Sequence, residues 1–148
     1  MSPEIQELWE RALRALQTAD ELVDRDSDAS SSRAYYAAFY AVSALLALEG
    51  QSYSKHTAVE RAVHRDFVKT GKFPPEVGAA FSWLANLRYT ADYGGSEHAE
   101  TGDAGQAATA HIWKQRPIIP RYSPLSADMR RICGYEPLSG DTRHIRRP

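Results

Sequence analysis

The chain has 148 residues, of which 43% are apolar, 25% charged and 10% aromatic, and this composition predicts one globular domain and excludes collagen-like, low-complexity and wholly disordered proteins. Its net charge of −1 is unevenly distributed, with 12 Lys and Arg against 16 Asp and Glu in residues 1–116 and six against three in residues 117–148. A protein that coats nucleic acid carries a strong overall basic excess, so any nucleic-acid contact here must be local.

Two helices are predicted in the first 50 residues. Residues 3–25 repeat apolar side chains at three- and four-residue intervals, which indicates an amphipathic helix. An acidic turn follows, and serines 30–32 are candidate N-caps for the next helix. Residues 33–49 are apolar on every side, so we expect this second helix to be central in the fold.

Two more helices are predicted before residue 94. The third covers residues 55–70, where Thr57 and Glu60 match a capping box. The fourth covers residues 76–93, because a proline pair precedes it and a glycine pair follows it.

A fifth, weaker helix and a tail complete the predicted organisation. The fifth helix begins near Ser96, and Gly102 and Gly105 weaken it by about 1 kcal/mol each relative to alanine. The sequence thus predicts an all-α, up-and-down bundle of four to five helices over residues 1–116 and an irregular, proline-rich tail over residues 117–148. The tail either lies extended over the bundle or serves as an arginine-bearing arm for RNA or a partner protein.

Signatures of common enzyme classes are absent. The sequence has no GxGxxG, GxxxxGK[ST], HExxH or GxSxG motif, which disfavours kinases, dehydrogenases, zinc proteases and serine hydrolases. Cys133, the single cysteine, excludes an internal disulfide and has no neighbours at zinc spacing, so we predict no metal and no cofactor. No apolar run has the roughly 20 residues of a membrane span, and the acidic N-terminus is unlike a secretory signal. We expect a cytoplasmic protein with no membrane partner.

Arg88 is the residue that composition and periodicity explain least. It lies on the inward stripe of the fourth helix with the core positions Val77, Phe81, Leu84 and Ala91. Two interpretations stay open: a local ion pair with Asp92 one turn later, or a phosphate site built on the planar guanidinium. Tyr93 adds a hydroxyl nearby, and the phosphate interpretation makes Arg88 and Tyr93 candidate catalytic residues with Asp92 in support.

Arg33 poses a similar question at the start of the second helix, where a cation opposes the helix dipole. Either a buried bridge to Asp92 or Asp24 compensates this charge, or Arg33 is a second basic group facing the same pocket. In the second case Arg33, Tyr36 and Arg88 together bind phosphate or RNA.

The histidines differ in their predicted roles. His56 and His64 are expected on a solvated, charged surface. His98 follows Arg88 by ten residues and opens the fifth helix, and a pKa near neutrality suits a general base. His98 is therefore the third candidate catalytic residue.

These features together resemble the HEPN family of small all-α domains. The sequence SRAYYAAFYA at residues 32–41 is similar to the central helix S-R-x-Y-Y-A-x-F-Y-A of short prokaryotic HEPN proteins. The later segments KHTAV (55–59), FVKTG (67–71) and LRYTADY (87–93) match in order and spacing. The resemblance covers residues 5–113.

The resemblance implies a dimeric helical bundle, often a metal-independent endoribonuclease of toxin–antitoxin and antiphage systems. The usual motif is R-x4-6-H in a cleft between two protomers, where histidine acts as acid/base while the ribose 2′-hydroxyl attacks the adjacent phosphate. Arg88 takes the arginine position, but the histidine position holds Tyr93, Gly94 or Gly95. Three outcomes follow: the nuclease chemistry is lost, His98 replaces the missing group, or Arg88 and Tyr93 act alone.

HEPN proteins are also often paired with a small nucleotidyltransferase, which in some systems modifies a tyrosine such as Tyr93. The first interpretation is therefore a homodimeric HEPN protein that binds RNA or nucleotide phosphate within a toxin–antitoxin or defence pair and lacks nuclease activity. The alternatives are an active endoribonuclease toxin and a non-catalytic protein-interaction module.

Overall fold

A computed structural model describes residues 2–108, which fold entirely into helices and their connections. The helices are α1 (Pro3–Leu22), α2 (Ser27–Leu48), α3 (His56–Ala62) with a π-helix (Val63–Val68) continuing it, α4 (Pro75–Tyr93) and α5 (Thr101–Ala108). This confirms the predicted all-α bundle, while the predicted tail over 117–148 lies outside the described residues. None of the helices within residues 2–108 is long and apolar enough to cross a membrane.

The second helix is central, as its uniform apolarity predicts. It packs against α1, α4, α5 and α3. Its small residues, among them Ala37 and Ala41, are buried towards α1, where they let the two backbones approach closely. The larger Tyr35, Val42 and Leu46 fill the core shared with α3 and α4. One helix therefore supplies both a close-packed face and the main aromatic core.

The predicted start of α2 was wrong by six residues. The helix begins at Ser27, and Asp26 is its N-cap, accepting a hydrogen bond from the backbone N–H of Ala29 at 3.0 Å. Serines 30–32 are not caps but are buried inside the helix. Ser30 is tolerated there because its hydroxyl donates to the carbonyl of Ala19 on α1 at 2.6 Å.

The predicted capping box of α3 was also wrong. Lys55 is the N-cap and makes no side-chain capping bond. Glu60 instead accepts a hydrogen bond from Ser82 on α4 at 2.8 Å, a tertiary contact that local spacing does not reveal. Beyond Ala62 the chain continues as a π-helix, which inserts additional residues without ending the helix.

The fifth helix begins later than predicted. It starts at Thr101, so His98 lies in the connection before it rather than in its first turn. Asp28 holds this connection to the N-terminus of α2, accepting from the backbone N–H of Ala99 at 2.6 Å. The hydroxyl of Ser27 donates to the Ala99 carbonyl, also at 2.6 Å. These bonds hold residues 98 and 99 in the connection, so the helix cannot begin at the predicted position near Ser96.

Candidate functional site

An arginine surrounded by tyrosines forms the most unusual side-chain cluster of the described residues. The guanidinium carbon of Arg88 on α4 lies 5.6 Å from the ring centroid of Tyr35 and 5.5 Å from those of Tyr36 and Tyr93. Its side chain is only 16% exposed. Three electron-rich ring faces stabilise a partly desolvated cation, which explains how a charged group occupies a core stripe.

The polar contacts of Arg88 are few for such a buried cation. Nη2 donates to the Tyr36 hydroxyl at 3.3 Å, and Nε lies 2.9 Å from the Asp92 carboxylate. That second pair is close in distance, but the buried Nε makes no hydrogen bond within residues 2–108, so its N–H is not directed at the carboxylate. Burial opposes the charge, yet Tyr36, Asp92 and Tyr93 outweigh it and raise the pKa of Arg88, which stays protonated.

His56, at the start of α3, belongs to the same cluster. Its Nδ1 lies 2.9 Å from the Tyr35 hydroxyl and its ring centroid 4.6 Å from that of Phe39. Burial, and after it the charge of Arg88, lowers the pKa of His56, so the imidazole is neutral at pH 7. Burial also raises the pKa of Tyr35 to about 12, which keeps that hydroxyl protonated. Nε2 of His56 has no partner among the described residues.

Arg33 extends the cluster from the side of α2. Its guanidinium carbon lies 4.9 Å from the centroid of the Tyr36 ring. No carboxylate within residues 2–108 forms an ion pair with it, so the expected bridge to Asp92 or Asp24 is not formed. The Tyr36 ring is therefore close to two cations, Arg33 and Arg88, which concentrates positive charge at this end of the bundle.

The outer edge of the cluster is aromatic and open to solvent. Tyr93 is 64% exposed and Tyr89 is 65% exposed, and their ring centroids lie 5.4 Å apart. Tyr93 thus contacts Arg88 while most of its surface stays exposed to solvent. A base or a second protein surface could stack on this pair.

His98 is placed elsewhere. Its Nδ1 lies 2.7 Å from the Asp28 carboxylate, and its side chain is 68% exposed. The Ala99 N–H, and after it the His98 side chain, lowers the pKa of Asp28, so this carboxylate is ionised. Within residues 2–108 no contact joins His98 to Arg88. The structure brings Arg33, Tyr36, Arg88, Asp92 and Tyr93 together and leaves His98 with Asp28.

The residue that sequence reasoning missed is His56, which was expected on the surface and is instead half-buried against three rings of α2. The sequence did contain a signal for this contact. Tyr35, Tyr36 and Phe39 lie on one side of α2, and the first turn of a helix that follows α2 after a short loop can pack against them. The periodicity of α3 alone could not show which partner its first turn meets. The structure shows, within residues 2–108, no group of three or more histidine, cysteine or acidic residues positioned to hold a metal ion.

Comparison with known proteins matches the HEPN domain over residues 5–110. A UPF0332 protein of Thermotoga maritima is 42% identical over 90 residues, which cover 60% of this chain and 68% of that protein. A UPF0332 protein of Gloeobacter violaceus is 35% identical over 106 residues, 70% of this chain and 84% of that protein. A Methanocaldococcus jannaschii protein named a "putative toxin" is 33% identical over 91 residues, 61% of this chain and 62% of that protein.

Proposed function

Because the chain belongs to the HEPN domain family, we propose that it binds RNA or a nucleotide through a phosphate held by Arg88, as one member of a toxin–antitoxin or defence pair. The observation that carries the proposal is the Arg88 guanidinium itself, which is mostly buried and whose Nη1 makes no hydrogen bond within residues 2–108. A planar guanidinium with donors to spare is suited to grip a phosphate at two points. The relative named a "putative toxin" supports the biological setting.

The neighbours of Arg88 favour an anionic, base-bearing ligand over a simple anion. Arg33 adds a second cation with no ion pair among the described residues. Tyr89 and Tyr93 offer an exposed aromatic platform next to it. A phosphate on the arginines with a base stacked on the tyrosines would use both features at once.

Substitutions of Arg88 and Asp92 test the proposal, because the ion-pair explanation and the phosphate explanation predict different results. If Arg88 binds phosphate, Arg88→Ala should weaken binding of a short RNA or of AMP by about 30-fold or more, since a hydrogen bond to a charged group is worth about 2 kcal/mol. Arg88→Lys should recover part of the affinity. Asp92→Asn should leave binding unchanged or tighter, because the carboxylate competes with the ligand.

The same three variants should be melted to separate binding from folding. The proposal predicts a modest loss of thermal stability for Arg88→Ala and a smaller one for Asp92→Asn. If Arg88→Ala and Asp92→Asn destabilise the fold equally while the affinity for both ligands stays at the wild-type value, Arg88 serves only its own helix and the proposal is wrong.

A second candidate function, metal-independent RNA cleavage, is favoured by the placement of His56. Its neutral imidazole, next to Arg88 and with Nε2 unpartnered, has the protonation state that a general base needs at pH 7. This requires the tautomer in which Nδ1–H donates to the Tyr35 oxygen. In this candidate His56, rather than His98, replaces the histidine missing from the R-x4-6-H motif.

Cleavage of a mixed RNA pool in EDTA tests this candidate. His56→Gln should abolish cleavage, while His98→Gln, a matched change at an exposed histidine, should leave it intact. The opposite pattern would assign the chemistry to His98. Absence of cleavage by the wild-type protein at high concentration would leave phosphate binding as the function.

Homodimerisation and a nucleotidyltransferase partner are also proposals. The exposed tyrosine pair gives them a physical basis, since large apolar side chains at 64% and 65% exposure are typical of contact surfaces. Light scattering on the wild type and on Tyr89→Ser/Tyr93→Ser tests the dimer: a shift from two chains to one in the variant supports it. A wild-type mass of one chain at micromolar concentration would contradict it.

A further inference from the structure

A second basic surface lies along α3 and the π-helix, apart from the Arg88 cluster. It is a groove of about 630 Å³ lined by Thr57, Glu60, Arg61, His64, Arg65 and Lys69. Neither the phosphate site nor the aromatic platform uses these side chains. We refer to it as the α3 groove.

The charge of the α3 groove is unbalanced. The charge of Arg65 is balanced within the protein, because its Nε lies 2.7 Å from the Asp66 carboxylate. Arg61 and Lys69 are exposed and form no ion pair within residues 2–108. The single acidic lining residue, Glu60, already accepts the Ser82 hydroxyl at 2.8 Å. The Arg65–Asp66 pair is neutral, so the lining carries two unpaired cations against the one carboxylate of Glu60 and keeps one positive charge in excess.

The floor of the groove is rigid rather than a loose surface helix. Ser82 donates its one hydroxyl proton to Glu60, so at 3.0 Å it accepts from Nε2–H of His64. Gly78 on α4 lets this wall approach closely, since a Cβ there would come within 3.0 Å of His64 and 2.8 Å of Val68. Glu60 and His64 are thus held in place by Ser82 before any ligand arrives.

The groove starts where the Arg88 cluster ends. Helices α3 and α4 run antiparallel. The later residue His64 contacts the earlier Ser82 of α4, whereas the earlier residue His56 is close enough to the later Arg88 for its charge to lower the His56 pKa. Thr57, the first lining residue, directly follows His56 in the chain. The thirteen residues from Thr57 to Lys69 are separated by twelve steps and extend over roughly 18 Å at about 1.5 Å per step, a length that accommodates several nucleotides.

We propose that the α3 groove binds the sugar–phosphate backbone of a single-stranded RNA whose neighbouring phosphate is held at Arg88. This inference rests on the proposed function and specifies its ligand as an oligonucleotide rather than a mononucleotide. Unpaired cations in a groove that follows the backbone, next to an aromatic platform for the bases, are the usual elements of single-strand binding. The overall charge of −1 fits, because the positive charge is local.

The test compares the double variant Arg61→Gln/Lys69→Gln with the control Arg14→Gln/Arg25→Gln, which removes the same charge from exposed positions on and after α1. Binding of a labelled eight-nucleotide oligouridylate is measured by fluorescence anisotropy over a salt series, and binding of AMP by calorimetry. At ~0.15 M salt each lost phosphate contact should cost about fourfold, since the salt exponent for a single strand is about 0.7 per contact.

The groove variant should therefore bind the oligonucleotide roughly ten- to fifteenfold more weakly, with a salt slope reduced by about 1.4. Its affinity for AMP and its melting temperature should equal those of the wild type, and the control should match the wild type in every assay. This pattern supports the inference.

Other outcomes overturn it in distinguishable ways. If groove and control variants lose the same affinity, the effect is one of net charge and the groove is not a binding site. If the wild type binds AMP as tightly as the oligonucleotide and the groove variant changes neither, the inference fails while Arg88 keeps its role. If an eight-residue polyglutamate binds the groove as tightly as RNA, the ligand is acidic protein instead. If the wild type binds neither AMP nor RNA, the proposed function and this inference fail together.

Discussion

Gly78 offers a sharp test of how tightly α4 packs against the π-helix. In an exposed helix interior Gly→Ala stabilises by about 1 kcal/mol. At Gly78, however, the new Cβ would lie 2.8 Å from Cγ2 of Val68 and 3.0 Å from Cε1 and Nδ1 of His64. Ordinary carbon contacts lie at about 3.5–4.0 Å, so both side chains must move.

The packing cost should exceed the helix gain. Overpacking of this kind costs about 1–3 kcal/mol, and displacing His64 from Ser82 costs about 1 kcal/mol more. We expect Gly78→Ala to lower the free energy of unfolding by about 1–3 kcal/mol, or the melting temperature by roughly 3–12 °C. Urea and thermal unfolding followed by circular dichroism measure both.

Gly105→Ala is the matched control. On α5 a Cβ would meet Cγ1 of Val23 at 3.6 Å, an ordinary contact, so the helix gain of about 1 kcal/mol should appear in full. The same chemical change should therefore have opposite signs at the two sites. If Gly78→Ala stabilises the protein as much as Gly105→Ala does, α4 does not pack against the π-helix as closely as the structure shows.

Three further predictions concern the polar contacts of the bundle. Asp28→Ala should reduce the free energy of unfolding by about 1–3 kcal/mol, measured by urea unfolding, because the Ala99 N–H loses its charged acceptor; an unchanged midpoint would contradict this tether. Ser30→Ala should lower the free energy of unfolding by about 1 kcal/mol, because the Ala19 carbonyl loses its hydrogen bond. A change near zero in urea unfolding would contradict this contribution. Because the pKa of His56 is lower in the folded state, its contribution to stability is fully present above pH ~6.5 and declines as pH falls from there to the folded pKa. His56→Gln should flatten that decline, and an identical pH dependence in the variant would argue against the buried placement.

The helical periodicity was sufficient to predict the architecture. The uniform apolarity of residues 33–49 implies contacts on all sides, and α2 makes them. Helix starts were harder to predict, because Asp26 and serines 30–32 are all good capping residues. The choice among them depends on Ser30 finding the Ala19 carbonyl, a contact 11 positions away in sequence.

The candidate site was predictable where its residues share a helix and less so where they do not. Arg88, Asp92 and Tyr93 lie within two turns of α4, so their proximity follows from spacing. His56 reaches Tyr35 only because α3 docks on α2, which no local pattern encodes. His98 looked suitable by its distance from Arg88 in sequence, but the connection to Asp28 directs it elsewhere.

The π-helix has a geometric consequence for the residues that follow it. In a regular α-helix each four-residue step overshoots a full turn by about 40°, so a series such as Thr57, Arg61, Arg65 and Lys69 would spiral around the axis. The wider turn over Val63–Val68 absorbs that drift and keeps these side chains on one side of the rod.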